Sequence, residues 1–144
     1  MSVNGAGLFF LDTNILVYSF DRAAKDKQTT AQGIIKLALE TQRGIVSTQV
    51  VQEFISVLLQ KFKQPSVHAD AREFLQTVLM PLCQHYPSLA FYDRALMLQQ
   101  ETGYGWYDTL ILAAALETGC RTLLSEDLQA GRSVHGVTIV NPFV

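Results

Sequence analysis

The sequence predicts a three-layer α/β sandwich built on a mainly parallel central sheet of about four to five strands. Strand-length apolar runs alternate with helix-length segments along the chain, the order expected when helices pack on a parallel sheet. The runs themselves, such as Leu8-Phe9-Phe10-Leu11, are continuous rather than alternating, as in strands covered on both faces. Hydrophobic residues make up 49% of the chain and charged residues 17%, a balance that folds. Its 144 residues suit one domain, 1–144, that buries roughly two-thirds of its unfolded surface.

Leu8 to Leu11 forms the first strand and stops at Asp12. Ile15 to Phe20 reads as a helix, and Asp26 to Arg43 as a second, closed by Gly44 in the left-handed position past its end. Gly44 to Ser47 is a short strand leading directly into a helix over Thr48 to Phe62, with another over Ser66 to Leu79. Gln84 to Tyr86 reads as a brief strand. Leu89 to Thr102 and Tyr107 to Thr118 are helices stopped by Gly103 and Gly119. Thr122 to Leu124 is a strand that ends at Ser125-Glu126-Asp127, and Val137 to Val140 is the last strand. No internal repeat, low-complexity tract or linker divides the chain.

Several function classes drop out early. The longest apolar run, Leu110 to Leu116, is far short of a membrane span. The N-terminus has no basic region followed by an apolar signal stretch, so a cytoplasmic protein is expected. Cys83 and Cys120 lack metal spacing and read as small core residues. A formal charge of −2 argues against a strongly basic nucleic-acid clamp, but not against a nuclease in which cations meet the phosphates. The scattered His68, His85 and His135 read as structural or surface residues. Lys25, Lys27, Lys61, Lys63, Arg94 and Arg132 are an unranked pool of phosphate contacts.

The acids carry the chemistry. Two strands end in carboxylates, at Asp12 and at Glu126-Asp127, and parallel strands bring their C-terminal ends to the rim where open α/β sheets bind ligands. Asp108 begins an apolar helix that can reach the same rim. Glu53 lies about one turn into its helix, on the border of the polar face formed by Gln49, Gln52, Ser56 and Gln60, where periodicity alone makes it a solvated residue. Carboxylates brought within ~4 Å repel by on the order of 4 kcal/mol per pair at an effective dielectric near 20. Such a cluster takes up protons or a cation, and oxygen-only donors favour Mg²⁺ or Mn²⁺ over zinc. A cation with open positions suits metal-assisted phosphodiester hydrolysis.

Four segments then resemble a known family: Leu11-Asp12-Thr13-Asn14, Ser47 to Phe54, Tyr107 to Ala115, and Leu123 to Leu128. They look like the four acidic motifs of PIN-domain ribonucleases, and most of all like the VapC-like toxins of bacterial toxin–antitoxin pairs. Residue by residue, the resemblance assigns Asp12, Glu53, Asp108 and Asp127 as metal-binding and catalytic acids, with Asn14 and Ser125 in support. It implies one or two Mg²⁺ or Mn²⁺ ions, RNA as substrate, and products with a 5′-phosphate and a 3′-hydroxyl. It further implies a homodimer and a small antitoxin whose basic residue neutralises the acidic groove. Glu126, between the hydroxyl and the last acid, is expected to be exposed.

Each acid also has a plainer reading. Asp12 and Asp108 both sit where a helix cap would, worth roughly 1 kcal/mol, and cap and ligand are compatible roles. Asp127 alone reads as a turn residue ahead of Gly131. Tyr104, Trp106 and Tyr107 are core packing or a platform for bases. The main rival class is a receiver-type signalling domain, but a lone Asp12 ends the first strand and no Lys follows the last. An aspartyl phosphatase needs an acid where Asn14 stands, and a dinucleotide-binding domain needs a glycine-rich turn after the first strand. A PIN-like protein that binds RNA without cutting it is the third alternative.

Overall fold

A computed structural model of the protein describes residues 7–144. The first half runs β1 (Leu8–Leu11), α1 (Thr13–Tyr18), α2 (Lys25–Thr41), β2 (Gly44–Ser47) and α3 (Thr48–Lys61). Next, α4 (Val67–Phe74) passes through a π-helical turn (Leu75–Leu79) into α5 (Met80–Leu82) and β3 (Cys83–His85). The chain finishes with α6 (Leu89–Thr102), α7 (Trp106–Glu117), β4 (Cys120–Leu124), β5 (Ser133–Val134) and β6 (Val137–Val140).

The sheet has six strands in the order β3-β2-β1-β4-β6-β5, all parallel except β5, which pairs antiparallel with β6. The strand beyond the expected four to five is β5. It is a two-residue arm of a tight hairpin whose turn residues, His135 and Gly136, both have positive φ (48° and 90°). Two residues carry no periodicity, so only the turn chemistry of His135-Gly136 marks it in sequence. Chain order sets the functional geography. From β1 the chain builds outward to β2 and β3, then returns to lay β4 on the other side of β1. The reversal leaves a crevice between the C-terminal ends of β1 and β4, the place where open α/β sheets bind ligands.

Phe9, Phe10 and Leu11 point alternately to the two faces of the sheet, yet none is more than 1% exposed, so helices cover both faces. One cover is α7, which touches both β2 and β4 and is buried from Thr109 through Ala115. Apolar on all sides, it behaves as an interior helix rather than an amphipathic one. Among the described residues no helix is long and apolar enough to cross a membrane. Cys83 and Cys120 are buried free thiols, and burial pushes the Cys120 thiol up to about 11, consistent with inert core positions.

The end of α2 departs from the sequence reading. The helix stops at Thr41, and the left-handed residue is Gln42 (φ 58°) rather than Gly44. Gly44 instead opens β2, where its lack of a side chain matters for a different reason. A Cβ there would lie 2.2 Å from the Ala38 Cβ and 2.9 Å from the Ala38 Cα. Thus α2 packs on β2 at a distance that only glycine permits. Gly44→Ala is expected to destabilise the protein by about 1–3 kcal/mol in urea unfolding, the usual range for overpacking, with part of the loss recovered by Ala38→Gly in the same chain.

Candidate active site

The site grows from the two central strand ends. The Asp12 backbone N–H donates to the Leu124 carbonyl (3.0 Å), continuing the β1–β4 ladder past the last residue of β1. Asp12 is extended (φ −70°, ψ 161°) and caps α1, accepting from the Thr13 N–H at 2.7 Å through Oδ1. Its Oδ2 accepts from the Ser125 hydroxyl, also at 2.7 Å. On the β4 side, the Ser125 N–H donates to the Val140 carbonyl (3.0 Å), and Ser125 Oγ accepts from the Asp127 N–H at 3.1 Å. This turn aims Asp127 back at β1, where Asn14 Nδ2 donates to its Oδ2 at 3.1 Å. Asn14 Oδ1 in turn accepts from the Glu126 N–H at 3.2 Å, so one amide fixes both the backbone and the acid of the loop.

Glu53 reaches the same place from α3. That helix follows β2 with no intervening loop, its N-terminus capped by Ser47, whose Oγ accepts from the Val50 N–H. Glu53 is half-buried and carries a bond on each oxygen: Thr13 Oγ1 donates at 2.8 Å and Gln49 Nε2 at 3.2 Å. The solvated-surface reading from periodicity therefore fails, because α1 lies against this side of α3. Gln49 Nε2 also donates to the Tyr107 carbonyl (3.2 Å), linking Glu53 to the start of α7.

Asp108 is not the cap of α7. The cap position belongs to Gly105, and the Thr109 hydroxyl satisfies the Gly105 carbonyl at 2.9 Å. Asp108 stands in the first turn, where the helix dipole favours its charge, and its carboxylate is exposed with no hydrogen bond to a described residue.

The charges of Glu53 and Asp127 act on both Asp12 and Asp108. Burial pushes the Asp12 carboxyl up to about 6; the Ser125 and Thr13 bonds oppose this, and the charges of Asp127 and Glu53 add to it. Asp108 is also raised, first by partial burial and then by Asp127 and Glu53. Among the described residues no cationic side chain acts on either carboxyl. Among the described residues no three His, Cys, Asp or Glu side chains close tightly enough to cage an ion. An oxygen-only donor set that is mutually repulsive but open fits a hydrated Mg²⁺ or Mn²⁺, which keeps several waters, rather than a dehydrated structural ion.

The structure adds residues that the sequence reading did not select. Thr13 and Gln49 hold Glu53, and the Gln49–Glu53 spacing of one helical turn was a usable signal. Glu126, expected to be exposed, is instead bound by the Tyr18 hydroxyl at 2.6 Å and by Lys27 Nζ at 2.5 Å. Burial raises its carboxyl, but the Lys27 and Tyr18 bonds outweigh burial and hold it below the usual range. Nothing local could reveal a pair so distant in sequence. Of the remaining cations, Lys61 pairs with Asp21 and Arg94 with Glu117, while Arg132 lies over the Tyr104 ring. His85 is buried against Phe91 and bonded to Glu117, while His68 and His135 are exposed. Of the aromatic trio, Tyr104 and Trp106 pack on the core and Tyr107 is exposed.

No curated protein sequence matches the chain. Solved structures do. FitAcB from Neisseria gonorrhoeae superposes with a TM-score of 0.64 at 18% identity, covering 94% of this chain and 99% of that one. A toxin–antitoxin complex from Klebsiella pneumoniae gives 0.62 at 21% identity, covering 92% and 96%. VapC20 from Mycobacterium tuberculosis, a toxin that cleaves the sarcin-ricin loop, gives 0.56 at 20% identity, covering 83% and 91%. At these identities the likeness establishes the fold. The PIN domain family profile matches residues 9–132, a span that contains every acid of the cluster, and the chain belongs to the PIN domain family.

Proposed function

We propose that this protein is a metal-dependent endoribonuclease and the toxin of a toxin–antitoxin pair. The observation that carries the reading is the convergence of Asp12, Glu53 and Asp127 on the β1–β4 crevice, close enough to Asp108 that the charges of Glu53 and Asp127 act on its carboxyl. A bound Mg²⁺ or Mn²⁺ supplies an activated water and offsets charge on a phosphodiester. Asp12, Glu53, Asp108 and Asp127 would hold it. The rest of the work falls to the chain's own groups. Ser125 and the Thr13 N–H fix both oxygens of Asp12, Asn14 orients Asp127, and Thr13 with Gln49 orients Glu53. Asp108, without a hydrogen-bond partner among the described residues, is free to meet a cation's water shell.

RNA as substrate is supported by family membership and by the likeness to a sarcin-ricin loop cleaving toxin. A cognate antitoxin is supported by the likeness to toxin–antitoxin complexes. A basic side chain from such a partner would neutralise the acids as a cation does. Homodimer formation and a cytoplasmic location belong to the same reading. The receiver alternative is disfavoured at the acid itself: Asp12 ends the central strand, but both its oxygens are engaged and it is 6% exposed, a poor acceptor for a phosphoryl group.

Two outcomes test this. In a fluorescent RNA cleavage assay, wild type is expected to cut with Mg²⁺ or Mn²⁺ and to stop in EDTA, leaving 5′-phosphate ends. Asp12→Asn and Asp108→Asn are expected to lose at least 100-fold, roughly the scale for removing one electrostatic group from a transition state. Cleavage in EDTA, or full activity in Asp12→Asn, refutes the mechanism.

The second outcome concerns stability against pH. The raised Asp12 carboxyl binds its proton more tightly folded than unfolded. Stability without divalent ions should therefore fall as pH rises from about 4 to about 6, by on the order of 3 kcal/mol, with Asp108 adding in the same direction. Adding Mn²⁺ at pH 7 should restore it, and Asp12→Asn should flatten the slope. Thermal melts across this window in EDTA and in Mn²⁺ measure both effects.

A further inference from the structure

Beside Glu53 lies a cavity of about 180 Å³ that the acids do not use. Its floor includes the buried Phe91 and Leu110, and Tyr92 and Tyr107 stand at its mouth, 42% and 68% exposed. Gln49 and Gln52 supply polar edges. No carboxylate among the described residues lines it, although the acidic rim is adjacent. Gln49 joins the two regions, since its amide donates both to Glu53 and to the carbonyl of Tyr107, the residue before Asp108. Gln52 is exposed and has no hydrogen-bond partner among the described residues. The Tyr107 ring likewise stacks on no described aromatic residue, so packing gives no account of its position.

Such a cavity is below the 300 Å³ or so typical of drug-sized ligands, and suits a single planar ring system rather than a base pair or a peptide segment. Single-stranded RNA is read by splaying unstacked bases onto aromatic side chains and bonding their edges to polar groups. We infer that this cavity seats one unpaired nucleobase of the RNA strand cut at the acids, with Tyr107 and Tyr92 as the stacking surface and Gln52 as the edge reader. The assignment rests on the nuclease reading and deepens it, because it places sequence preference next to the scissile phosphate. Gln49 is a positioning residue for both halves.

The test has two arms, read separately. In EDTA, short single-stranded RNAs carrying one 2-aminopurine at successive positions are titrated with protein. Quenching is expected at one position, lost in Tyr107→Ala and kept in Tyr107→Phe, which retains the ring. In Mn²⁺, a randomised single-stranded RNA is cleaved and the ends are sequenced. Tyr107→Ala is expected to lower kcat/KM on the preferred sequence by on the order of tenfold, the scale of one stacked base, and Gln52→Ala to flatten the preference at one nucleotide beside the cut. Unchanged quenching and unchanged preference in Tyr107→Ala, Tyr92→Ala and Gln52→Ala overturn the assignment. Cleavage that depends on Asp12 but shows no position-specific quenching overturns the cavity and leaves the nuclease standing. Tyr107-dependent quenching without any cleavage by wild type does the reverse.

Discussion

A buried hydroxyl joins the two strand ends on which the site is built. Ser125 Oγ donates to Asp12 and accepts from the Asp127 N–H, so one fully buried oxygen relates the end of β1 to the turn after β4. A hydroxyl suits this position because it gives one proton and receives others; an apolar side chain of similar size would leave the Asp12 oxygen and the loop N–H without partners in a place water does not reach. Asn14 repeats the connection a few ångströms outward, receiving from the Glu126 N–H and giving to Asp127. Together they bring two acids together against their repulsion.

That clamp works only because the frame behind it is stiff. β1 and β4 are central strands of a sheet covered on both faces, and α7 spans β2 and β4 as an interior helix. The close fit of α2 on β2 at Gly44 and Ala38 makes the same point from the far side of the molecule. Interiors packed at this density transmit strain rather than absorb it, so the acids cannot relax apart cheaply. The carboxyls of Asp12 and Asp108 are raised first by burial in this frame and then by the neighbouring charges of Asp127 and Glu53. Charge held in place against repulsion is what favours a cation or a cationic partner, and this links the fold to the proposed chemistry.

The same rim shows how charge is partitioned. Glu126 sits between Ser125 and Asp127 in sequence, yet it turns away to Lys27 and Tyr18, with Lys27 also over the Tyr18 and Phe143 rings. Its neutralisation is local, which leaves Asp127 as the acid of this loop that faces the crevice. Neighbouring carboxylates thus take different roles from their partners alone: one anchors the loop and the other stays available.

The sequence by itself determined the class of fold and the position of each acid along the chain. Continuous apolar runs marked the parallel strands; α6 and β6 have the boundaries that the pattern and its glycine stops implied, and Asp12 and Asp127 were placed by ending a strand. Local pattern was enough there because burial on both faces leaves a one-dimensional trace. It was not enough for Glu53, which helical periodicity put in solvent, nor for Asp108, whose position looked like a cap. Thr13 and Asn14 contact residues 40 and 113 positions away, and Lys27 meets Glu126 across 99. Only tertiary structure decided those partnerships and the reversal of strand order between β1 and β4 that gives the crevice its place. The physical reason is that pairing and charge repulsion depend on distances in space, which sequence spacing does not encode.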